Sequence, residues 1–170
     1  AFAFQAVPNN KVAPNLAKRH ITMEQLAAPE VTLTYFNMED PIVGGYTPDK
    51  VAFRRAIALG YNTDEEIRLP RRNQAIPAQG PIVPNAYGYD PKFKSEMSDF
   101  DRGRSIALLD MFGYVDRDGD GWRDLPDGKP LVLEYATQPD AASRSLNEIW
   151  KKNMDAIGIK MIFKTAKWPE

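Results

Sequence analysis

The C-terminal part of the chain carries the pattern that most constrains its fold. Residues 131–136 and 159–165 have the composition of strands, and the second stretch alternates apolar residues with lysines. Between them, Asp140 is suited to cap a helix whose apolar residues recur every three or four positions, and Gly158 is suited to end it. Two strands joined by a helix pair in parallel with a right-handed crossover. The sequence therefore predicts a βαβ unit and an α/β fold.

Just before this unit, residues 113–128 form an acidic loop. Gly121 lies at the sixth position of a twelve-residue stretch with the ligand spacing of an EF-hand calcium loop. The predicted ligands, at positions 1, 3, 5, 7, 9 and 12, are Asp116, Asp118, Asp120, the carbonyl of Trp122, Asp124 and Asp127. A strand follows the loop where an EF-hand has a helix. Two interpretations remain open: a weak, structural calcium site, or a loop whose aspartates accept hydrogen bonds from backbone amides.

Local signals upstream predict one strand and three helices. Residues 31–37 combine alternation with β-branched and aromatic residues, which indicates a strand. Thr47 precedes Pro48 and is the predicted cap of the first helix. Thr63 is the predicted cap of the second helix. Ser98 is the predicted cap of the third helix, which ends at Gly113.

Residues 73–93 are rich in proline and glycine and form a long predicted loop. Tyr87 and Tyr89 within it either line a ligand groove or pin the loop to the domain, and we favour pinning.

The basic residues Arg68, Arg71 and Arg72 either hold a phosphate or carboxylate group or form a solvated loop, and we favour the loop. The single histidine, His20, has no neighbours that suggest chemistry, so we interpret it as a surface residue.

Composition argues against several classes of function. The 170 residues suit one domain, and a net charge of −1 supports neither nucleic-acid nor anionic-membrane binding. With no cysteine, one histidine, and no Gly-x-Ser-x-Gly or phosphate-binding glycine motif, a nucleophile with its base and orienting residue cannot be assembled. A stand-alone calcium-stabilised module and an unrecognised hydrolase remain as alternatives to a binding protein.

Several ordered runs together resemble the family 5 extracellular solute-binding proteins, the peptide-binding subunits of ABC importers. These runs are residues 33–38, 51–59, 75–84, 88–91, 108–114 with the acidic loop, and 150–159. The sequence departs from the family pattern at Gly60 and Asn62, where the family often has alanine and aspartate.

The resemblance implies a type II periplasmic-binding fold with two lobes. Residues 1–170 would be a single domain forming part of one lobe, with an irregular segment at 1–30. Its small mixed sheet would contain the βαβ unit, flanked by helices. The resemblance also implies a periplasmic or extracellular location and partnership with a peptide or similar solute and with membrane permease subunits. It implies no required cofactor and no catalysis, and the isolated chain would bind peptide poorly or not at all.

Overall fold

A computed structural model describes residues 11–24 and 26–167. Predictions that fall on residues 1–10 and 25, within the irregular segment proposed for 1–30, lie outside the described residues. Among the described residues, no helix is both long and apolar enough to cross a bilayer. The elements in chain order are α1 (Pro14–Ala17), α2 (Pro48–Gly60), α3 (Thr63–Arg68), a 3-10 turn (Glu96–Ser98), α4 (Arg102–Met111), β1 (Val132–Thr137), α5 (Ala141–Asp155) and β2 (Lys160–Thr165).

The predicted βαβ unit is confirmed, and with it the α/β fold and the small sheet. Strands β1 and β2 pair in parallel, with Leu133 opposite Met161. The Oδ1 of Asp140 accepts a hydrogen bond from the backbone amide of Ser143 at 2.9 Å, so Asp140 caps α5 as predicted. Past the end of α5, Gly158 has a φ of 78°, the left-handed conformation that glycine tolerates. Leu133 and Met161 are buried in the core, and β2 packs on α5.

The core forms where α2, α4 and α5 meet the sheet. The rings of Phe53 on α2 and Tyr114 after α4 stack with centroids 4.7 Å apart. A second stack joins Tyr61, just after α2, to Trp150 on α5 at 4.0 Å. The Phe53–Tyr114 stack joins α2 to the segment after α4, and the Tyr61–Trp150 stack ties α2 to the βαβ unit.

Gly60, the last residue of α2, lies against the end of α5. A Cβ atom at this position would come within 2.7 Å of Ile157 Cδ1 and 3.2 Å of Ser105 Oγ. Gly60, where the family often has alanine, therefore lies at the point where the α2 backbone closely approaches buried side chains.

The strand predicted over residues 31–37 is wrong. The segment runs without turns or bends, but the structure pairs it with no strand among the described residues. A β-like composition is not sufficient for a strand, because the backbone amide and carbonyl groups also need a neighbouring strand with which to form hydrogen bonds. Phe36 packs against the core, while Leu33 and Tyr35 are exposed.

Two of the predicted helix caps are wrong, one by a single residue. Asn62, one residue before Thr63, caps α3: its Oδ1 accepts from the amide of Glu65 at 3.0 Å. Asp101 caps α4 in the same way, with Arg104 as donor at 2.9 Å, and Ser98 instead lies in the 3-10 turn. Both true caps have extended backbone, as a cap requires.

Thr47 does precede α2 as predicted, but its side chain makes no capping hydrogen bond.

Candidate functional site

The acidic loop is held by hydrogen bonds from its own backbone amides to its aspartates. Asp116 accepts from two amides at once, Gly119 to Oδ1 at 2.7 Å and Gly121 to Oδ2 at 2.9 Å. Both glycines have positive φ, 78° and 91°, which lets the chain curl around the carboxylate. These amides, that of Gly119 foremost, lower the pKa of Asp116 below its ordinary value. Asp116 is therefore the organising residue of the loop.

Three carboxylates of the loop come together. Oxygen atoms of Asp116, Asp118 and Asp120 lie within 4.8 Å of one another, and all three residues are exposed. Asp118 also accepts from the Asp120 amide at 3.1 Å, and Asp120 accepts from the Trp122 amide at 2.8 Å. The cluster offers hard oxygen atoms of the kind that calcium prefers. The same carboxylates also make the amide hydrogen bonds of the second interpretation, so the two interpretations are compatible.

The two remaining carboxylates of the predicted ligand set, Asp124 and Asp127, lie outside this cluster. Asp124 is buried, and its Oδ2 accepts from the Arg117 amide at 2.9 Å. Asp127 is paired with Lys129, whose Nζ lies 2.7 Å from Oδ2. This contact lowers the pKa of Asp127 and raises that of Lys129. Asp124 thus stabilises the packing of the loop, and Asp127 stabilises its last turn.

Arg123 fastens the loop to the rest of the domain, a role that sequence reasoning missed. Its side chain is largely buried, and its Nε donates to the Ile157 carbonyl at 2.7 Å. Its Nη1 lies 2.6 Å from Asp110 Oδ1 and also donates to the Tyr114 carbonyl. Its backbone amide donates to the Gly158 carbonyl at 2.8 Å. One arginine thus joins the loop, the end of α4 and the end of α5.

An open cleft of about 410 Å³ lies between the acidic loop and the end of α5. Its wall includes Asp116, Arg123 and Asp155 together with the apolar side chains of Val115 and Ile157. Asp155 Oδ2 accepts from Lys151 Nζ at 2.6 Å, whereas its Oδ1 has no partner among the described residues. The carboxylates at this wall favour cations over anions.

The proline-rich loop places its two tyrosines differently. Tyr87 is fully exposed and Tyr89 is 38% exposed, so Tyr87 does not pin the loop as we favoured. Instead, Ser95, just after the loop, is joined to Gln79 within it, with the Ser95 amide 2.9 Å from Gln79 Oε1 and the Ser95 hydroxyl 2.7 Å from the Gln79 carbonyl. Ser98 adds a hydrogen bond to the Ala78 carbonyl. Tyr87 is therefore displayed on a loop that is tied at its base.

The three arginines at and just after the end of α3 do not act together. Arg71 Nε lies 2.5 Å from Glu66 Oε1, and Glu66 also accepts from the Tyr61 hydroxyl. Burial, followed by this contact with Glu66, raises the pKa of Tyr61. Arg68 and Arg72 are exposed, as the solvated-loop interpretation predicts. His20, interpreted as a surface residue, is exposed as well.

Comparison with known proteins fixes the family. Residues 3–170 match the bacterial extracellular solute-binding proteins, family 5 middle region. The chain belongs to this family. It is also 30% identical over 124 residues to di/tripeptide-binding protein 2 of Pseudomonas aeruginosa (strain UCBPP-PA14), covering 72% of this chain and 21% of that protein.

Two solved structures share its fold. The oligopeptide-binding protein AppA of Bacillus subtilis, in complex with a nonapeptide, aligns with a TM-score of 0.69 and 16% identity, over 78% of this chain and 25% of AppA. NikA of Brucella suis, in complex with Fe(III)-EDTA, aligns with a TM-score of 0.59 and 25% identity, over 69% of this chain and 23% of NikA. The chain thus spans about a fifth to a quarter of the length of these proteins.

Proposed function

We propose that this chain is part of one lobe of a longer protein, the solute-binding component of an ABC importer. The match to the family over residues 3–170 carries this proposal. The fold supports it, because the α/β arrangement aligns with about a quarter of a peptide-binding protein. Family membership favours this function over a stand-alone calcium module or a hydrolase. Such a protein would hold its solute between two lobes and change no covalent bond in it.

Peptides are the first solute class to test. The curated relative is named for di- and tripeptides, and one structural neighbour holds a nonapeptide. Another neighbour holds Fe(III)-EDTA, so the shared fold alone does not select a solute. We infer a periplasmic or extracellular location, with membrane permease subunits as the partners that receive the solute.

Titration calorimetry on the longer gene product tests the proposal. Three probes cover the ligand classes of the relatives: a tripeptide, a nonapeptide and Fe(III)-EDTA. We expect micromolar or tighter binding of a peptide to the longer protein. We expect none to residues 1–170 alone, because closure around a solute needs both lobes. Failure of every probe to bind the longer protein, or micromolar peptide binding to residues 1–170, would contradict the proposal.

Tyr87 and Tyr89 are the side chains of this chain that we propose for solute contact. Tyr87 extends from a tied loop and has its whole ring free, which suits contact with a solute or the second lobe. In the longer protein, Tyr87→Ala should weaken peptide binding, and Tyr89→Ala should do so less. Tyr46→Ala is the matched control, since Tyr46 is 81% exposed and lies outside the loop. Equal binding by Tyr87→Ala and the parent protein would remove Tyr87 from the site.

We also propose that the acidic loop binds calcium weakly, in a structural role. The proximity of Asp116, Asp118 and Asp120 supports this. Three exposed aspartates give fewer ligands than the six to eight that calcium takes in tight sites. The remaining positions would be filled by water or by backbone carbonyls such as that of Trp122.

A further inference from the structure

The acidic loop contains every Asp–Gly pair of the sequence. The three pairs are Asp118–Gly119, Asp120–Gly121 and Asp127–Gly128. An Asp–Gly pair can rearrange without an enzyme, because glycine has no side chain to shield its backbone nitrogen from the carboxyl group of the preceding aspartate. The loop therefore concentrates the peptide bonds of this chain that are most open to such a modification.

The rearrangement has two steps. The glycine nitrogen attacks the aspartate Cγ to form a cyclic succinimide, while the amide hydrogen and the carboxyl hydroxyl leave together as water. Water then opens the ring at either of its carbonyl groups, which gives back aspartate or yields isoaspartate. The first step requires the amide nitrogen to give up its hydrogen and to turn its face toward Cγ.

One carboxylate controls the attacking nitrogen of two of these pairs. The Gly119 amide donates to Asp116 Oδ1 at 2.7 Å, and the Gly121 amide donates to Asp116 Oδ2 at 2.9 Å. Each hydrogen bond retains the amide hydrogen and fixes the plane of the peptide group. Either nitrogen can therefore attack only after its bond to Asp116 has opened.

The third pair is held by a different partner. The Gly128 amide donates to the Leu125 carbonyl at 2.8 Å, and the carboxylate of Asp127 is paired with Lys129. Asp116 makes neither of these contacts. Asp127–Gly128 is thus an internal reference with the same chemistry, in the same loop.

We propose that Asp118 and Asp120 are sites of isoaspartate formation, and that Asp116 keeps both unreacted by holding the two glycine amides. Isoaspartate carries its former side-chain carbon in the main chain. At either site it would lengthen the backbone and separate carboxylate oxygens that lie within 4.8 Å of one another. Asp116 would then preserve the covalent structure of the loop as well as its shape. The proposal requires neither a bound solute nor a bound cation.

Peptide mapping of the full-length gene product tests the proposal. The folded protein is incubated at neutral pH with a chelator and sampled over time. Trypsin cleavage after Arg117 and Arg123 releases residues 118–123, which carry the first two pairs, apart from the peptide that carries Asp127. Chromatography separates isoaspartate from aspartate peptides, and electron-transfer fragmentation assigns the modified residue.

Replacement of Asp116 should accelerate the reaction at two sites only. In Asp116→Ala we expect the rates at Asp118 and Asp120 to rise about tenfold relative to Asp127, the factor that corresponds to the loss of one hydrogen bond. Asp90→Ala is the matched control, because Asp90 Oδ1 accepts from the Lys92 amide at 2.8 Å outside the loop. It should leave all three rates unchanged.

Asp116→Asn provides a second variant, which decides the matter if circular dichroism shows Asp116→Ala to be unfolded. Asparagine has one side-chain oxygen and can keep only one of the two glycine amides, so one site should react faster than the other. Unchanged or lower rates at both sites in a folded variant would overturn the proposal. Equal acceleration at all three sites would also overturn it, by assigning the protection to the loop as a whole. So would parent rates at Asp118 and Asp120 that match those of the chain unfolded in urea.

Discussion

The guanidinium Nε of Arg123 donates a hydrogen bond to the Ile157 carbonyl over 2.7 Å, joining residues 34 positions apart. The acceptor lies just past the last turn of α5, where carbonyl groups lack helical partners and carry the negative end of the helix dipole. The same guanidinium reaches Asp110 and the Tyr114 carbonyl. The acidic loop is therefore fixed to the domain at a helix terminus, independently of any cation.

Replacement of Arg123 tests this anchoring. In Arg123→Lys, the lysine keeps the charge but cannot donate hydrogen bonds to three acceptors in one plane. We therefore expect the free energy of unfolding to fall by about 2–3 kcal/mol. Urea denaturation followed by circular dichroism measures the loss. Arg144→Lys is the control, because its Nη1 donates to the Pro139 carbonyl at an exposed site, and it should change stability by less than about 0.5 kcal/mol. Equal effects of the two variants would show that Arg123 is not an anchor.

The close approach at Gly60 predicts a coupled pair of substitutions. Gly60→Ala should destabilise the parent chain by about 1–2 kcal/mol, because its Cβ would collide with Ile157 Cδ1. Ile157→Val removes that methyl group and should cost about 0.5–1.5 kcal/mol by itself. With valine at 157, Gly60→Ala should cost less than in the parent chain, because the collision with Cδ1 is gone while the 3.2 Å contact with Ser105 Oγ remains. A double-mutant cycle by urea denaturation measures the coupling, and an unchanged cost of Gly60→Ala would refute the steric explanation.

Tyr114 predicts a response to alkaline pH. Its ring is buried, its hydroxyl has no hydrogen-bond partner among the described residues, and burial raises its pKa to about 12. A raised pKa adds stability that is complete below the unfolded value near 10 and is lost as pH rises toward 12. Tyr114→Phe removes the unpaired hydroxyl, so it should raise stability at neutral pH by about 1 kcal/mol.

Melting curves from pH 8 to 12 measure this response. Tyr114→Phe should lose less stability across that range than the parent chain, whereas the fully exposed Tyr87, replaced by phenylalanine, should behave like the parent. Tyr61, whose pKa is also raised, would leave some alkaline sensitivity in every variant. Identical pH profiles for Tyr114→Phe and the parent would contradict the prediction.

The lowered pKa of Asp116 predicts a loss of stability at acid pH. Its folded-state pKa is lowered by amide hydrogen bonds, so its stabilisation is present above the unfolded value near 3.9 and is lost as pH falls through the folded value. Asp116→Asn places an amide donor against a backbone donor and should lower the melting temperature at pH 7 by a few degrees. The difference from the parent should shrink at acid pH.

Asp90→Asn is the matched control, because Asp90 Oδ1 lies outside the acidic loop and accepts from the Lys92 amide at 2.8 Å, a bond that an asparagine oxygen can keep. A gap between Asp116→Asn and the parent that stays constant with pH would show that charge is not involved.

The proximity of three carboxylates predicts a modest calcium affinity. We expect titration calorimetry to give a dissociation constant of about 10⁻⁴–10⁻³ M, the range of weak extracellular sites. Asp118→Asn should abolish the heat of binding. Asp127→Asn should leave it unchanged if only the three clustered residues bind, and should weaken it if the full twelve-residue set does. Absence of any heat with calcium, together with melting unaffected by a chelator, would reject the site.

Sequence reasoning succeeded where the signal is local. The βαβ unit follows from periodicity and from Asp140 and Gly158 at the ends of one helix, all of which can be read within a short stretch. Asn62 and Thr63 are both capable caps, so the choice between them depends on backbone conformation that composition does not determine.

Features that depend on distant partners could not be predicted. No local pattern links Arg123 to Ile157, or reveals that the strand-like residues 31–37 have no paired strand among residues 11–24 and 26–167. The aspartate spacing indicated that Asp116, Asp118 and Asp120 lie close together, as they do in the structure. It could not show that Lys129 pairs with Asp127.

The Gln79–Ser95 hydrogen bonds have an evolutionary consequence. Because Gln79 and Ser95 are joined to each other, the residues between them can change in length or composition without transmitting strain to the helices. Substitutions between Gln79 and Ser95 therefore change the free energy of unfolding little. Natural selection can reshape the tip that bears Tyr87 while the folding of the domain is preserved.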